Sequence, residues 1–493
     1  MKILQKSVII LLSLSFCTAA IYAQNVQFTN ASSSAGIEGS LGSPYSTHCA
    51  WGDYDNDGYL DVYVTNWGSA VSDAINELYK NSGSGTFTET GSVAGVNSSN
   101  NSAFAAWGDY NNDGWLDLYV VNFYEQDELY YNNGNGTFTN VTSQTGINIV
   151  SIGNEVAAAW GDYDNDGYID LYLCKYYANN ELYHNNGNGT FSLVTNTAVR
   201  DIRDSEGAMW VDYNNDGYID LYVVNREQDN KFYKNNGDET FTEISGQMGL
   251  NNTEIGKNCI WGDVDNDGDF DVLIANIGTN NLYLNNLTSF TDVSSSKNVL
   301  YSGYGWESWD ASFSDINGNG NIDFFTVGGS ESNYEATALM VNAGGTSNYI
   351  FGDITQSSGI SSTPMIATSC AFADCDNDGD PDLFVTTNSS DVLLLNQKED
   401  NSNDFLKVRV RGNGSGATNS FGLGCKVKVY ETGSPSTFLF KELRNGSEPP
   451  ELLFGLTEGR TYTVEVYFPA TTQTSTIDNI TIPRTDPLVI EEP

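Results

Sequence analysis

The sequence predicts an all-β chain: a seven-bladed β-propeller of four-stranded blades, followed by a small C-terminal β domain. Three observations carry that expectation. A nine-residue acidic phrase occurs seven times, its spacing stays near fifty residues, and each interval holds four strand-like pieces.

The acidic phrase sets the register. Its copies begin at Asp53, Asp109, Asp162, Asp212, Asp263, Asp315 and Asp374, which are 56, 53, 50, 51, 52 and 59 residues apart. Position 3 is Asp55, Asn111, Asp164, Asn214, Asp265, Asn317 and Asp376. Position 5 is Asp57, Asp113, Asp166, Asp216, Asp267, Asn319 and Asp378. Position 7, whose backbone carbonyl is the expected ligand, is Tyr59, Trp115, Tyr168, Tyr218, Asp269, Asn321 and Asp380. Position 9 is Asp61, Asp117, Asp170, Asp220, Asp271, Asp323 and Asp382, and position 6 is always glycine. Such a loop suits Ca2+, which takes six to eight oxygens at roughly 2.3–2.6 Å around a sharp turn. Up to seven Ca2+ ions are expected. The sixth site should be weakest, because it keeps only Asp315 and Asp323. An EF-hand is excluded: position 12 is Val64, Val120, Leu173 and Val223 in the first four copies, where that motif needs a bidentate Glu. The tandem glycine-rich nonapeptides of a calcium β-helix are also missing. The expected role of the ions is to staple hairpins.

The third interval shows the strand grammar. Glu155 to Trp160 is a small apolar strand, Tyr168 to Leu173 alternates as a second, Glu181 to His184 is a third, and Thr190 to Val194 is a fourth. The seventh interval has no fourth strand. Its counterpart stands near the start of the chain, as Val26-Gln27-Phe28-Thr29, so the N-terminal segment is expected to complete the last blade and remove the free edges.

Before it, Lys2 and Lys6 precede the apolar run Val8 to Phe16 and the small residues Ala19, Ala20 and Ala23. Residues 1–23 therefore read as a secretory signal peptide, and the protein is expected to be secreted. Cys17 raises a surface-lipoprotein alternative, against which bulky Phe16 counts. No later stretch is long and apolar enough for a membrane helix. The formal charge of −43 argues against nucleic acid or an anionic membrane as a partner. Seven Ca2+ ions would bring fourteen positive charges and leave the formal total near −29. Six cysteines follow the leader, without zinc spacing; a Cys49–Cys370 bridge is conceivable, and geometry must decide it.

After Asn396 the period stops, and the propeller is placed at 24–400. Alternating strands such as Phe405 to Val410 and Thr463 to Pro469 mark a β domain over 404–483, with 484–493 as a tail. Lys407, Arg409, Arg411, Lys426 and Lys428 are expected chiefly as a solvated strand face, with docking on the acidic propeller as the alternative.

Trp-Gly-Asp at the entry to the acidic loops, with Phe313 and Phe372 in later copies, resembles the FG-GAP repeat of the integrin α-subunit propeller. Asn76-Glu77-Leu78-Tyr79 and Asn132 to Phe138 resemble its bacterial VCBS form. The C-terminal stretch around Asn419 to Val429 resembles the ASPIC/UnbV domain of cartilage acidic protein, although Asn419-Ser420 departs from its usual Asn-Arg and no EGF-like module follows. The resemblance implies Ca2+ between the first and second strands of a blade, and ligand binding on the opposite face.

On that face the loops after each second strand diverge, with Trp67, Phe123, Tyr124, Tyr176, Tyr177 and Arg226 as candidate ligand contacts. Incoming loops add Tyr45, His48, Arg203 and Trp306. Exposed aromatics on a concave face suit an extracellular protein, a matrix component or a glycan. The leading expectation is a binding or adhesion module. The alternatives are a lectin-like propeller and a polysaccharide-degrading enzyme using carboxylates such as Glu155, Glu206 and Glu307. No catalytic constellation is recognisable: His48 and His184 stand in different contexts, and no nucleophile elbow occurs. The oligomeric state is left open.

Overall fold

The computed structural model describes residues 26–37, 45–68, 75–147, 154–250, 252–299, 308–329, 337–344, 349–360, 366–397, 403–414, 416–444, 447–484 and 486–493. The signal-peptide reading, Cys17, Trp306 and Glu307 lie outside the described residues.

Tyr45–Gly52, Asp61–Trp67, Glu77–Asn81 and Phe87–Glu89 form the first four-stranded antiparallel sheet. The same order repeats over 102–140, 155–193, 205–243, 255–292 and 308–353. The last such sheet takes three strands from Ala367–Ala373, Asp382–Thr387 and Val392–Asn396, and its fourth from Phe28–Asn30, with Phe28 opposite Asn396 and Asn30 opposite Leu394. The displaced strand pairs where the sequence places it. Repeated antiparallel sheets of this kind make a β-propeller arrangement.

Two sets of hydrogen bonds tie neighbouring sheets. Each third strand ends in a buried asparagine whose Nδ2 donates to the preceding sheet's acidic loop: Asn132 to Tyr54 O at 2.8 Å, Asn185 to Tyr110 O at 2.7 Å, Asn235 to Tyr163 O at 2.7 Å. Asn285, Asn342 and Asn396 do the same to Tyr213, Val264 and Ile316, and Asn81 reaches Cys375 O at 2.7 Å. Tryptophans add to this, as where Trp107 Nε1 donates to Ala50 O at 3.1 Å. The glycine after Trp51, Trp107, Trp160 and Trp261 has a packing reason. A Cβ on Gly52 would lie 2.9 Å from the Trp107 ring.

The six cysteines among the described residues are all buried and free, so Cys49 and Cys370 form no bridge. Cys49, Cys259 and Cys370 take the register position that Ala105, Ala158 and Ala208 hold in other sheets.

The C-terminal module packs a three-stranded sheet (Leu452–Thr457, Asn403–Arg411, Leu488–Glu491) on a four-stranded one (Phe438–Glu442, Lys426–Glu431, Thr461–Phe468, Gln473–Thr481). The expected tail is therefore part of the domain. Leu488–Glu491 pairs parallel with Asn403–Arg411, and Leu488 and Ile490 enter the module's core.

Candidate metal loops and ligand cavity

The acidic loops fold by hydrogen bonding their own aspartates. Position 1 accepts from the position-6 glycine, as in Asp53 from Gly58 N at 3.0 Å and Asp162 from Gly167 N at 3.0 Å. Position 9 accepts from the third strand, as in Asp61 from Asn81 N at 2.8 Å. The position-7 ring covers the turn between third and fourth strands, which explains the glycine there: a Cβ on Gly83 would strike Tyr59, and one on Gly187 would strike Tyr168.

Four loops bring three carboxylates within 4.8 Å of one another: Asp53, Asp55 and Asp57; Asp162, Asp164 and Asp170; Asp263, Asp265 and Asp271; Asp374, Asp376 and Asp382. These are the copies with aspartate at all four side-chain positions. Oδ1 of Asp53, Asp55, Asp265 and Asp374, and Oδ2 of Asp117 and Asp220, are buried without a hydrogen-bond donor. Burial, with neighbouring aspartates adding to it, pushes Asp61 up to about 9 and Asp263 to about 8. Buried carboxylate oxygens in that state call for a cation, so these clusters could hold metal ions. Competing cations sit on some of them. Lys80 of the third strand bonds Asp55 and lies 3.2 Å from Asp57, and His184 Nδ1 lies 3.2 Å from Asp164 and 3.3 Å from Asp170.

Position 4 has a function that the ligand pattern does not suggest. Asn56, Asn112, Asn165, Asn215, Asn266 and Asn377 adopt left-handed backbone with φ of 54–60°. Short amide side chains tolerate that region. The first five reach the next loop, as in Asn112 Nδ2 to Gly167 O at 2.7 Å and Asn56 Nδ2 to Gly114 O at 2.9 Å.

The C-terminal module lies on this acidic end, which corrects the expectation of a solvated basic face. Lys407 Nζ is 2.8 Å from Asp374, Arg409 Nη1 is 3.5 Å from Asp53, and Lys426 bonds Asp212 and, at 2.7 Å, Asn215. Ser420 Oγ donates to Asp109. Arg411 and Lys428 stay within the module, over the Phe421 and Phe438 rings at 4.3 and 4.2 Å. Alternation put Lys407, Arg409 and Arg411 on one face, but nothing in the pattern showed that the face is opposite aspartates.

At the other end the first strands enclose a cavity of about 400 Å³. Each first strand carries a bulge at the same place, between residues such as Ser46 and His48 or Ser308 and Asp310. A bulge re-aims a side chain. The seven bulged residues, Thr47, Ala103, Val156, Glu206, Lys257, Trp309 and Thr368, all line the cavity. A second tier follows: His48, Phe104, Ala157, Gly207, Asn258, Asp310 and Ser369. Arg444, Ser447 and Glu448 of the C-terminal module complete the lining. Ser447 reaches through to His48 Nε2 at 2.9 Å, and its carbonyl accepts from Trp51 N at 3.2 Å.

Of the candidate ligand contacts, Trp67, Phe123, Tyr176 and Arg226 line this cavity. Their ring centroids run as a chain, Trp67 to Phe123 at 5.1 Å and Phe123 to Tyr176 at 6.0 Å, with Arg226 5.9 Å above Tyr176. Tyr124 and Tyr177 stand outside it, 61% and 79% exposed, at left-handed turns. Tyr45 is exposed, Arg203 pairs with Asp201, and neither lines the cavity. The carboxylates considered for hydrolysis are held by lysines: Glu155 is 2.9 Å from Lys175, and Glu206 is 2.8 Å from Lys257.

The FG-GAP-like repeat pattern matches the chain in six overlapping stretches, 53–120, 109–173, 162–223, 212–274, 263–326 and 315–385. The chain belongs to the FG-GAP-like repeat family. The match runs from one acidic loop into the second strand after the next, so the FG-GAP unit here is the loop-to-loop register read above. No curated protein matches the chain. Solved structures similar to it include YCF48 bound to D1 peptide, at 9% identity and TM-score 0.45, covering 76% of this chain and 96% of that one. BBS1N in complex with ARL6DN gives 10% identity and TM-score 0.44, covering 75% and 96%. Saccharomyces cerevisiae Sqt1 gives 9% identity and TM-score 0.43, covering 76% and 99%.

Proposed function

We propose that this FG-GAP protein is a secreted, Ca2+-stapled, closed seven-bladed propeller that acts as an extracellular binding module for a protein or matrix ligand. One observation carries the choice of face: seven bulged residues and four divergent rim residues converge on one cavity, at the end of the blades that the module leaves open. The acidic loops would hold Ca2+ through positions 1, 3, 5 and 9. They serve as scaffold, because the module and the neighbouring loops use up their surface. Binding is favoured over catalysis, since Glu155 and Glu206 are each neutralised by a lysine. The module, similar to ASPIC/UnbV domains, caps the acidic end with a basic strand face. A glycan reading is second; the Trp67–Phe123–Tyr176 chain of rings supports it, because sugar faces stack on aromatics.

The test is capture by the full chain in Ca2+ against panels of extracellular matrix proteins and of glycans, with Trp67→Ala and Tyr176→Ala variants. The expected result is a protein ligand whose affinity falls at least about tenfold in either variant, with the thermal melt preserved. Variants that leave every interaction intact would refute the face assignment, and a glycan-only response would replace the first reading with the second.

A further inference from the structure

The deep end of the cavity carries two carboxyls that no basic side chain neutralises directly. Asp310 accepts from Asn258 Nδ2 at 2.6 Å, Ser369 Oγ at 2.6 Å, Ala311 N at 2.8 Å and Cys370 N at 3.2 Å. All four donors are neutral, so they orient the charge without cancelling it. Glu448 projects into the cavity from the C-terminal module, exposed to its solvent, with no hydrogen bond or ion pair among the described residues. Desolvation by the surrounding cavity walls raises the Glu448 carboxyl, and Asp310 acts on it in the same direction, against Arg444 and Lys441.

The cations that line the cavity have other partners, although Arg444 Nη2 is left without one. Lys257 bonds Glu206, and Arg444 bonds Glu442 at 2.8 Å and Trp261 O at 2.6 Å. Arg226 stays at the rim over Tyr176. His48 is neutral, because burial pushes it down to about 3. The walls include the apolar side chains of Phe104, Met209 and Ile260.

Resting on the reading that this is the binding face, we propose that the cavity receives an organic ammonium group on an aliphatic stem, with Glu448 as its anchor and Asp310 as its second carboxylate. The aromatic rim admits the cation, since ring faces attract ammonium groups, and the apolar wall covers the methylenes. The site is composite: the propeller supplies the walls and the C-terminal module supplies the anchoring carboxylate. Lysine side chains and free aliphatic amines share this chemistry.

Calorimetric titration of the full chain in Ca2+ tests it with three probes: n-pentylamine, its neutral counterpart n-pentanol, and an acetylated, amidated tetrapeptide containing one lysine. Pentylamine should bind one to one and at least about tenfold more tightly than pentanol, and Glu448→Gln should remove most of that difference. A peptide tighter than pentylamine identifies a lysine side chain as the occupant; equal affinities identify a free amine. Equal binding of amine and alcohol by the unaltered protein, or unchanged amine binding by Glu448→Gln, would overturn the proposal. The amine–alcohol comparison needs no variant, so it decides even if Glu448→Gln fails to fold. If Trp67→Ala abolishes macromolecular capture while pentylamine never binds, the ammonium assignment falls and the face assignment stands. If amine binding depends on Glu448 while Trp67→Ala leaves capture intact, the face assignment falls instead.

Discussion

At the acidic end of the blades the repeats share one pattern of aspartate, asparagine and glycine, and their polar atoms are used inside the chain. Aspartates accept from their own glycines, asparagines reach the next loop, and Lys407, Arg409 and Lys426 of the module close over them. At the opposite end the equivalent positions hold threonine, alanine, valine, glutamate, lysine and tryptophan, and the cavity stays open. The same strands join the two ends. Repetition therefore marks what holds the propeller together, and divergence at a fixed structural position marks the face proposed for binding.

The largest test of that contrast is metal removal. If four full loops are each saturated about a hundredfold above their Kd, bound Ca2+ contributes about 10 kcal/mol, and chelation should lower Tm on the order of 10–20 °C. A melt unchanged by chelator at low salt would remove the acidic loops from the scaffold. Next comes the module's grip. Lys426 and Asp212 are nearly fully buried, so Lys426→Ala in metal-free protein should cost about 3–5 kcal/mol by denaturant titration. The exposed pair Arg460–Glu431 is the control, and Arg460→Ala should change stability by less than about 0.5 kcal/mol.

His48 stands where the two ends meet, between the cavity wall and Ser447 of the module, and it gives a pH test. Its folded pKa, about 3, lies below the ordinary 6.5. Folding therefore favours the neutral ring. The stability is present above about pH 6.5 and is lost as pH falls toward 3, a loss of about 3 kcal/mol by pH 4. The aspartates titrate alike in wild type and in His48→Gln, so the stability difference between the two isolates the imidazole. It should shift against the wild type by that amount between pH 7 and pH 4. A constant difference would mean that the ring is protonated in place without penalty.

Much of this was legible from the sequence, for different reasons. The acidic loops and the displaced first strand were readable because each is a comparison between copies: seven phrases in register, and one missing strand with one spare. Four of the six rim candidates line the cavity because strand direction fixes which loops share an end. The bulges were not readable. A bulge is an extra residue in the pairing, and Glu206 or Lys257 looks in sequence like any strand residue. The module's docking was hidden too, since alternation shows that Lys407 and Arg409 share a face but not what that face meets. Position 4 was visible as a repeated asparagine, yet its amide acts on the next loop, and no single copy shows that.

The smallest effect concerns differences among the acidic loops themselves. Lys80 on the third strand bonds Asp55 and approaches Asp57, whereas the equivalent positions of the fifth and seventh blades are Leu284 and Leu395. An ammonium group there offsets the charge that would attract Ca2+, but Lys80 is 37% exposed, so solvent screens much of its field. Lys80→Leu should therefore tighten Ca2+ at the first loop by about 1 kcal/mol, or roughly fivefold, read by competition with a fluorescent chelator. Leu395→Lys should weaken the seventh loop by a similar factor. Unchanged affinity in both would mean that the lysine swings clear when the ion arrives, leaving the aspartate set alone to rank the loops.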